Sequence, residues 1–254
     1  MTDLYAVIGQ PIAHSQSPRI HAAFAQQTAQ DLRYEAIEIA ADVLAAKLAE
    51  LHQAGYQGLN ITLPHKTAVP ALCEAVSERA ALAAAVNTLI ATPTGWRGAN
   101  TDGEGLLRDL DRLGYVVKNA RVLVLGAGGA VRGILAPLLA AQPKILVVSS
   151  RNPWKPEALA EEFREQGTVV PRTHLALKGD QFDLIINATS AGHSGVVPRL
   201  PDLLLAAGGA CYDLSYGAAF APFQRWAQLQ HATKINDGLG MLVEQAAAAF
   251  ALWR

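Results

Sequence analysis

Short apolar runs alternate with segments of helical period along the chain. LYAVIG, residues 4–9, is an apolar run closed by Gly9 and Pro11, and it predicts a buried strand. Ser17 and Pro18 then open a helix through HAAFAQQ, with Ser17 as the N-cap and the proline in the first turn. RYEAIEI, residues 33–39, alternates with period two, as a half-buried strand does. VLAAKLAELHQAG predicts a helix that ends at Gly55. The strand GLNITL, a helical stretch through SERAALAAAV and the strand NTLIAT complete a βαβαβ-like first half. NTDGEG, residues 100–105, starts a helix through LLRDLDRLG. The second half repeats the alternation: strand RVLVL, helix VRGILAPLLAA, strand KILVVSS, helix EALAEEFREQG, strands DLIINAT and ACYDLSY, and the apolar helix GLGMLVEQAAAAFALW. Strands alternating with helices predict parallel sheets. The expected fold class is α/β with two domains, residues 1–101 and 102–237, the helix at 238–254 returning to complete the first.

Composition narrows the partners. The 254 residues are 51% hydrophobic and carry a formal net charge of -1, so there is ample core and no reason to expect nucleic acid or an anionic membrane surface as partner. Cys73 and Cys211 are too few for a disulfide scaffold and lack CxxC spacing. The N-terminus carries Asp3 where a signal peptide would be positive, and the last apolar helix is broken by Glu244. A cytoplasmic protein without a metal site is expected.

GAGGA, residues 126–130, follows an apolar strand and opens a helix, which is the setting of a dinucleotide loop. Gly126 permits the tight turn, and Gly128 and Gly129 let a pyrophosphate approach the backbone beside a helix N-terminus. The strict GxGxxG spacing fails, because Val131 takes the third glycine position. A plain βα turn remains the competing reading of the loop alone. NAD-binding folds carry an acid at the end of the second strand to hold the ribose 2′-hydroxyl. Here the strand ends in Ser149, Ser150, Arg151 and Asn152, with Lys155 close by and no acid. A guanidinium and an ammonium suit a 2′-phosphate, so NADP is favoured over NAD.

Polar clusters mark the first half: HSQSP at 14–18, NITLPHK at 60–66, VNTL at 86–89 and NTD at 100–102. Each lies at the edge of an apolar segment, where open α/β sheets bind ligands. Asn60 and Thr62 share a face if both are on a strand, and Pro64 ends that strand just before Lys66. Ser15, Ser17, Asn60, Thr62, Asn87, Lys66 and Asp102 together suit a small polyhydroxylated ligand. Taken singly, each is also explained as a cap, a turn residue or a solvated charge.

GQPIAHSQSPRIH, NITLPHK, AVNTL, GANTDGEG, GAGGAVRG, INATSAG, YDLSY and NDGLGMLVEQAA follow one another along the chain. In this order they resemble the shikimate dehydrogenase family, over essentially the whole length. The resemblance implies an α/β substrate domain, a Rossmann-like NADP domain with a cleft between the two, and NADPH-dependent reduction of 3-dehydroshikimate to shikimate in aromatic amino-acid biosynthesis. It implies Lys66 and Asp102 as the catalytic pair. Ser15, Ser17, Asn60, Thr62, Asn87, Asp102, Tyr216 and Gln245 would hold the substrate. Gly126, Ala127, Gly128, Gly129, Ala130, Ser150, Arg151, Asn152, Lys155, Leu214 and Gly238 would line the NADP site, and Glu78 sits where some members place a cofactor-contacting acid. The family contains monomers and homodimers. Ser150-Arg151-Asn152 departs from the Asn-Arg-Thr common in the family, Ser215 stands where an aromatic is common, and His193 takes an often apolar position and is read as non-catalytic. Two rivals are a quinate-oxidising paralogue and a non-catalytic NADP-binding regulator on the same fold.

Overall fold

The computed structural model describes residues 2–254. The chain forms two compact units, one built from the chain up to Gly105 together with Leu242–Arg254, the other from Leu106–Met241.

The first unit runs β1 (Asp3–Gly9), α1 (Ser17–Gln27), β2 (Leu32–Glu38), α2 (Leu44–Gln53), β3 (Tyr56–Ile61), β4 (Ala75–Val76), α3 (Glu78–Ala83), β5 (Thr88–Ala91) and β6 (Trp96–Ala99). Its sheet has the order β2-β1-β3-β5-β6-β4. β1 pairs in parallel with β2 and β3, whereas β3–β5 and β5–β6 are antiparallel. The sheet is therefore mixed, not purely parallel. For β5–β6 the reason is local: Thr92 and Gly95 close a tight turn through Thr92 N–H to Gly95 O at 2.9 Å, and a two-strand hairpin needs no crossover helix. Trp96–Ala99 is the returning strand. The start of α1 also differs from expectation. Ser17 is its first helical residue, so Gln16 takes the N-cap position, without a side-chain capping bond, and Ser15 Oγ accepts from Ser17 N–H at 3.3 Å.

Ile8, Leu59, Ile61, Val86, Leu89 and Trp96 form the core of this unit with Leu44 and Leu48 of α2. The helix α8 (Leu239–Trp253) ends against the same sheet. Trp253 lies over Gly58 of β3, donates its Nε1–H to Leu89 O at 2.9 Å and packs on Tyr5 at 4.8 Å between ring centroids. A Cβ on Gly58 would stand 2.3 Å from Trp253 Nε1, so only glycine admits the indole.

The second unit continues α4 (Asp102–Arg112, which begins in the first unit) into β7 (Arg121–Leu125), α5 (Gly129–Ala140), β8 (Ile145–Ser150), α6 (Trp154–Glu162), β9 (Val169–Thr173), β10 (Phe182–Asn187), β11 (Leu205–Asp213), α7 (Ala221–Leu229) and β12 (Lys234–Asn236). Every strand pair is parallel, in the order β12-β11-β10-β7-β8-β9. Counted from β7, that is 6-5-4-1-2-3, the doubly wound Rossmann order. The switch point falls between β7 and β10, and it fixes the C-terminal ends of these strands as the ligand edge. The edge strands β9 and β12 carry too weak a pattern to be read from sequence: Pro171 interrupts the first, and the second has three residues.

Gly58→Ala is expected to dislodge Trp253 and cost about 1–3 kcal/mol. Thermal unfolding should show a Tm lower by roughly 5 °C. An unchanged Tm would mean that the indole can leave its seat freely.

Candidate active site and nucleotide site

Lys66 lies in a turn of 3₁₀ helix, His65–Thr67, directly after the proline that follows β3. Two contacts pin the turn. The buried His65 ring meets Ile39 O through Nε2 at 2.7 Å, and Lys66 O accepts from Val86 N–H at 2.8 Å. The Lys66 ammonium donates to Asp102 Oδ2 at 2.5 Å, with side-chain exposures of 15% and 4%.

Asp102 opens α4, where a carboxylate faces the positive end of the helix. Its Oδ1 accepts from Asn87 Nδ2 at 2.8 Å. The same Asn87 amide is within reach of Thr101 Oγ1 at 2.9 Å and Gln245 Oε1 at 3.1 Å, and Asn87 Oδ1 accepts from Thr101 N–H at 2.9 Å. Gln245 comes from α8, which can approach because residue 105 is glycine: a Cβ there would lie 2.6 Å from Gln245 Cβ. Asn60, at the end of β3, donates from Nδ2 to Asn87 O and Thr88 Oγ1, each at 3.3 Å. The structure thus joins Lys66, Asp102, Asn87, Gln245 and Asn60 in one largely buried network of the first unit. Thr62, Ser15 and Ser17 lie in this unit without a bond to the Lys66–Asp102 pair: the Thr62 methyl packs against Gly9, and Ser15 Oγ accepts from Ser17 N–H. Glu78 is exposed on the first turn of α3. Tyr216 lies in the second unit, just before a short turn at Gly217–Ala219. Thr101 is the site residue that sequence reasoning passed over. It sits inside the quoted NTD, but only its contacts to Asn87 and Gln245 reveal a role.

In the second unit GAGGA forms the turn between β7 and α5 at the switch point. Gly126 has φ +116° and a Cβ there would come within 2.9 Å of Ala188 O, so glycine is required. At Gly128 a Cβ would meet nothing within 4 Å, and no side chain caps the first turn of α5. Open space over uncapped N–H groups of a twelve-residue helix fits a pyrophosphate. Gly238 presses on Leu214, where a Cβ would stand 2.2 Å from its carbonyl oxygen, and Gly238 N–H donates to Ser215 O at 2.9 Å. Beyond β8, Ser150 Oγ accepts from Asn152 N–H at 3.1 Å, leaving Arg151 and Lys155 exposed. Next to them is His174, buried at the end of β9 with Nδ1 2.8 Å from Ser149 Oγ. Burial, and then the Arg151 charge, hold its pKa below the usual histidine range. A cation-bearing loop with no carboxylate at the end of β8 fits a 2′-phosphate.

The profile of the shikimate dehydrogenase substrate binding domain matches residues 7–89, that of the shikimate/quinate 5-dehydrogenases residues 110–198, and that of the shikimate 5′-dehydrogenase C-terminal domain residues 238–254. The chain belongs to the shikimate dehydrogenase family. Among similar proteins of this family, the NADP⁺ shikimate dehydrogenase of Methylococcus capsulatus is 52% identical over 99% of this chain and 91% of its own. That of Nitrosospira multiformis is 47% identical over 100% and 93%. Of solved structures, the Thermus thermophilus shikimate 5-dehydrogenase in complex with NADP(H) and shikimate superposes with a TM-score of 0.87 at 36% identity, over 99% of this chain and 93% of that one. An Ael1 enzyme from Pseudomonas putida gives 0.88 at 43% identity, over 100% and 93%. As in that family, an α/β unit precedes a Rossmann-like one.

Asp213 ends β11 beside Leu214, fully buried, with Oδ1 accepting from Ser215 N–H at 2.9 Å and Oδ2 unpartnered. Burial pushes its carboxyl up to about 7, Asp237 adding to the rise and the Ser215 N–H and Asn187 opposing it. The folded state therefore holds this proton from about pH 4 to pH 7 while the unfolded chain has released it. Stability from this group is present below pH 4 and is lost as pH rises through 7. Asp213→Asn keeps an acceptor for Ser215 and carries no charge. Its unfolding free energy is expected to match wild type near pH 4 and to exceed it at pH 8 by an amount on the order of a few kcal/mol, read by denaturant unfolding at each pH. A wild-type-minus-variant difference flat across this range would rule out the buried proton.

Proposed function

We propose that this chain is an NADP-dependent shikimate dehydrogenase, which reduces 3-dehydroshikimate to shikimate in the shikimate pathway, with the first unit holding the substrate and the second the cofactor. The observation that carries the roles is the buried Lys66–Asp102 pair wired to Asn87 and Gln245. The loop at Gly126–Ala130, the basic residues Arg151 and Lys155, and Leu214 and Gly238 would hold NADPH, which supplies the hydride. As the substrate carbonyl is reduced, negative charge grows on its oxygen. The Lys66 ammonium stabilises that oxygen and gives it a proton, and in the reverse direction Lys66 accepts the hydroxyl proton. Asp102 fixes the ammonium in one place, and Asn87 fixes Asp102. Asn87, Gln245, Thr101 and the serines 15 and 17 supply the hydroxyl- and carboxylate-binding groups that a polyhydroxylated acid requires. Tyr216 completes this set and Glu78 the cofactor set. Both cysteines are free thiols, in keeping with a cytoplasmic setting.

Absorbance of reduced nicotinamide reports the reaction directly. With shikimate or quinate, each with NADP or NAD, the largest kcat/KM is expected for shikimate with NADP. A preference for quinate or for NAD would overturn the specificity. No turnover in any combination would overturn the enzyme reading in favour of a binding protein. Lys66→Ala is expected to lower kcat by about 10²–10⁴-fold with little change in the KM for shikimate. A Lys66→Ala enzyme turning over at the normal rate would remove the lysine from the chemistry.

A further inference from the structure

Tyr34, on the edge strand β2, belongs to none of the polar clusters or family motifs quoted above, yet its hydroxyl reaches into the polar network. The phenol donates to Asn60 Oδ1 at 2.7 Å. The Ser17 hydroxyl faces the same phenol. Burial pushes the phenol pKa well above the usual tyrosine range, with Ser17 opposing, so the group stays a donor.

The ring is held by a plate. His21 lies one helical turn after Ser17 on α1, fully buried, and stacks on Tyr34 at 4.1 Å between centroids with 6° between planes. Phe24, Phe250 and Trp253 surround His21 at 5.7, 6.1 and 5.3 Å. Neither His21 nitrogen makes a hydrogen bond of good geometry, and burial pushes its pKa down to about 3, the nearby Asn60 side chain opposing. A neutral imidazole in this position acts as a flat, packed ring, and it leaves Tyr34 no freedom to swing.

From Tyr34 the donors run one way. Tyr34 donates to Asn60 Oδ1, Asn60 Nδ2 to Thr88 Oγ1, Thr88 Oγ1 to Asn87 Oδ1, and Asn87 Nδ2 to Asp102 Oδ1, whose other oxygen holds Lys66. Turning the Asn60 amide over would set its carbonyl against the Asn87 carbonyl, which can only accept. The Asn87 carbonyl therefore sets which way Asn60 points, and the phenol, donating to the Oδ1 that this leaves facing it, holds the amide in place.

We infer that Tyr34 is a positioning residue of the substrate site, its hydroxyl holding in place Asn60 and Ser17 and, through Thr88 and Asn87, the carboxylate that holds Lys66. This rests on the reading of the network as a shikimate site. Tyr34→Phe keeps the ring and its stack on His21 and removes only the hydroxyl. With purified wild type and variant, kcat/KM for shikimate is expected to fall roughly tenfold, as for loss of one net hydrogen bond, while KM for NADP stays within twofold. Ser17→Ala in the Tyr34→Phe background should cost less than Ser17→Ala alone, because the two groups are coupled. A variant with wild-type kcat/KM for shikimate overturns the inference. Equal losses toward shikimate and NADP together with a lowered Tm overturn it too, since they would mark a purely structural residue. A wild type inactive on shikimate overturns the functional reading itself, and this inference with it.

Discussion

A carboxylate taken out of water must be met by donors. Asp102 is the group on which the first unit's polar architecture converges. Its two oxygens are met by an ammonium and an amide, and its own N–H donates to Asn100 Oδ1 at 3.0 Å. Satisfying it draws in Asn87 from the start of the β5 hairpin, Lys66 from the turn after β3 and Gln245 from α8, residues far apart in sequence. Gly105 is demanded by the same convergence, because α8 must come close enough for Gln245 to meet Asn87. A carboxylate held from this many directions is fixed in place without any ligand, and in the proposed reaction that is where much of the advantage of positioning would lie.

The second unit meets anionic partners by other means. Where the first unit has side chains, the turn after β7 offers backbone N–H groups at a helix end, and glycines keep the approach open. Asp213 is the contrasting case. It is buried as deeply as Asp102 but has no cation beside it, so its pKa rises to about 7. His21 and Asp213 then act on stability with opposite signs. A histidine held down to about 3 disfavours the fold as pH falls below 6.5, and a carboxyl raised to about 7 disfavours it as pH rises.

Much of this was legible in the sequence. RVLVL before GAGGA, with a helix after, specifies the strand-turn-helix of the nucleotide unit by local chemistry alone. Lys66 and Asp102 stood out because each interrupts or ends an apolar segment. What escaped notice depends on pairing across the sheet. The antiparallel turn at Thr92–Gly95 changes the direction of a strand without altering its hydrophobic pattern. Thr101 and Tyr34 look like ordinary polar and half-buried strand-end residues until Asn87 and Asn60 are placed beside them. Ser-Pro is a helix-start signal that predicts Ser17 as the cap, yet the helix begins one residue earlier than that role allows and Gln16 occupies the N-cap position. His174 has no motif at all, and only the adjacency of β8 and β9 brings it to Ser149 and Arg151.

The Lys66–Asp102 pair also weighs between enzyme and binding protein. Buried ion pairs add little to stability, and an apolar pair of similar volume in the same place is often neutral or stabilising. A domain that only binds a dinucleotide has no need of one in its other unit. Here the pair is kept, and an amide, a threonine and a glutamine are arranged to orient its carboxylate. The lysine is the more exposed side chain of the two, at 15% against 4%, so it is the partner nearer to a ligand's reach. A general acid needs that combination: a proton that can be reached, on a group that cannot move.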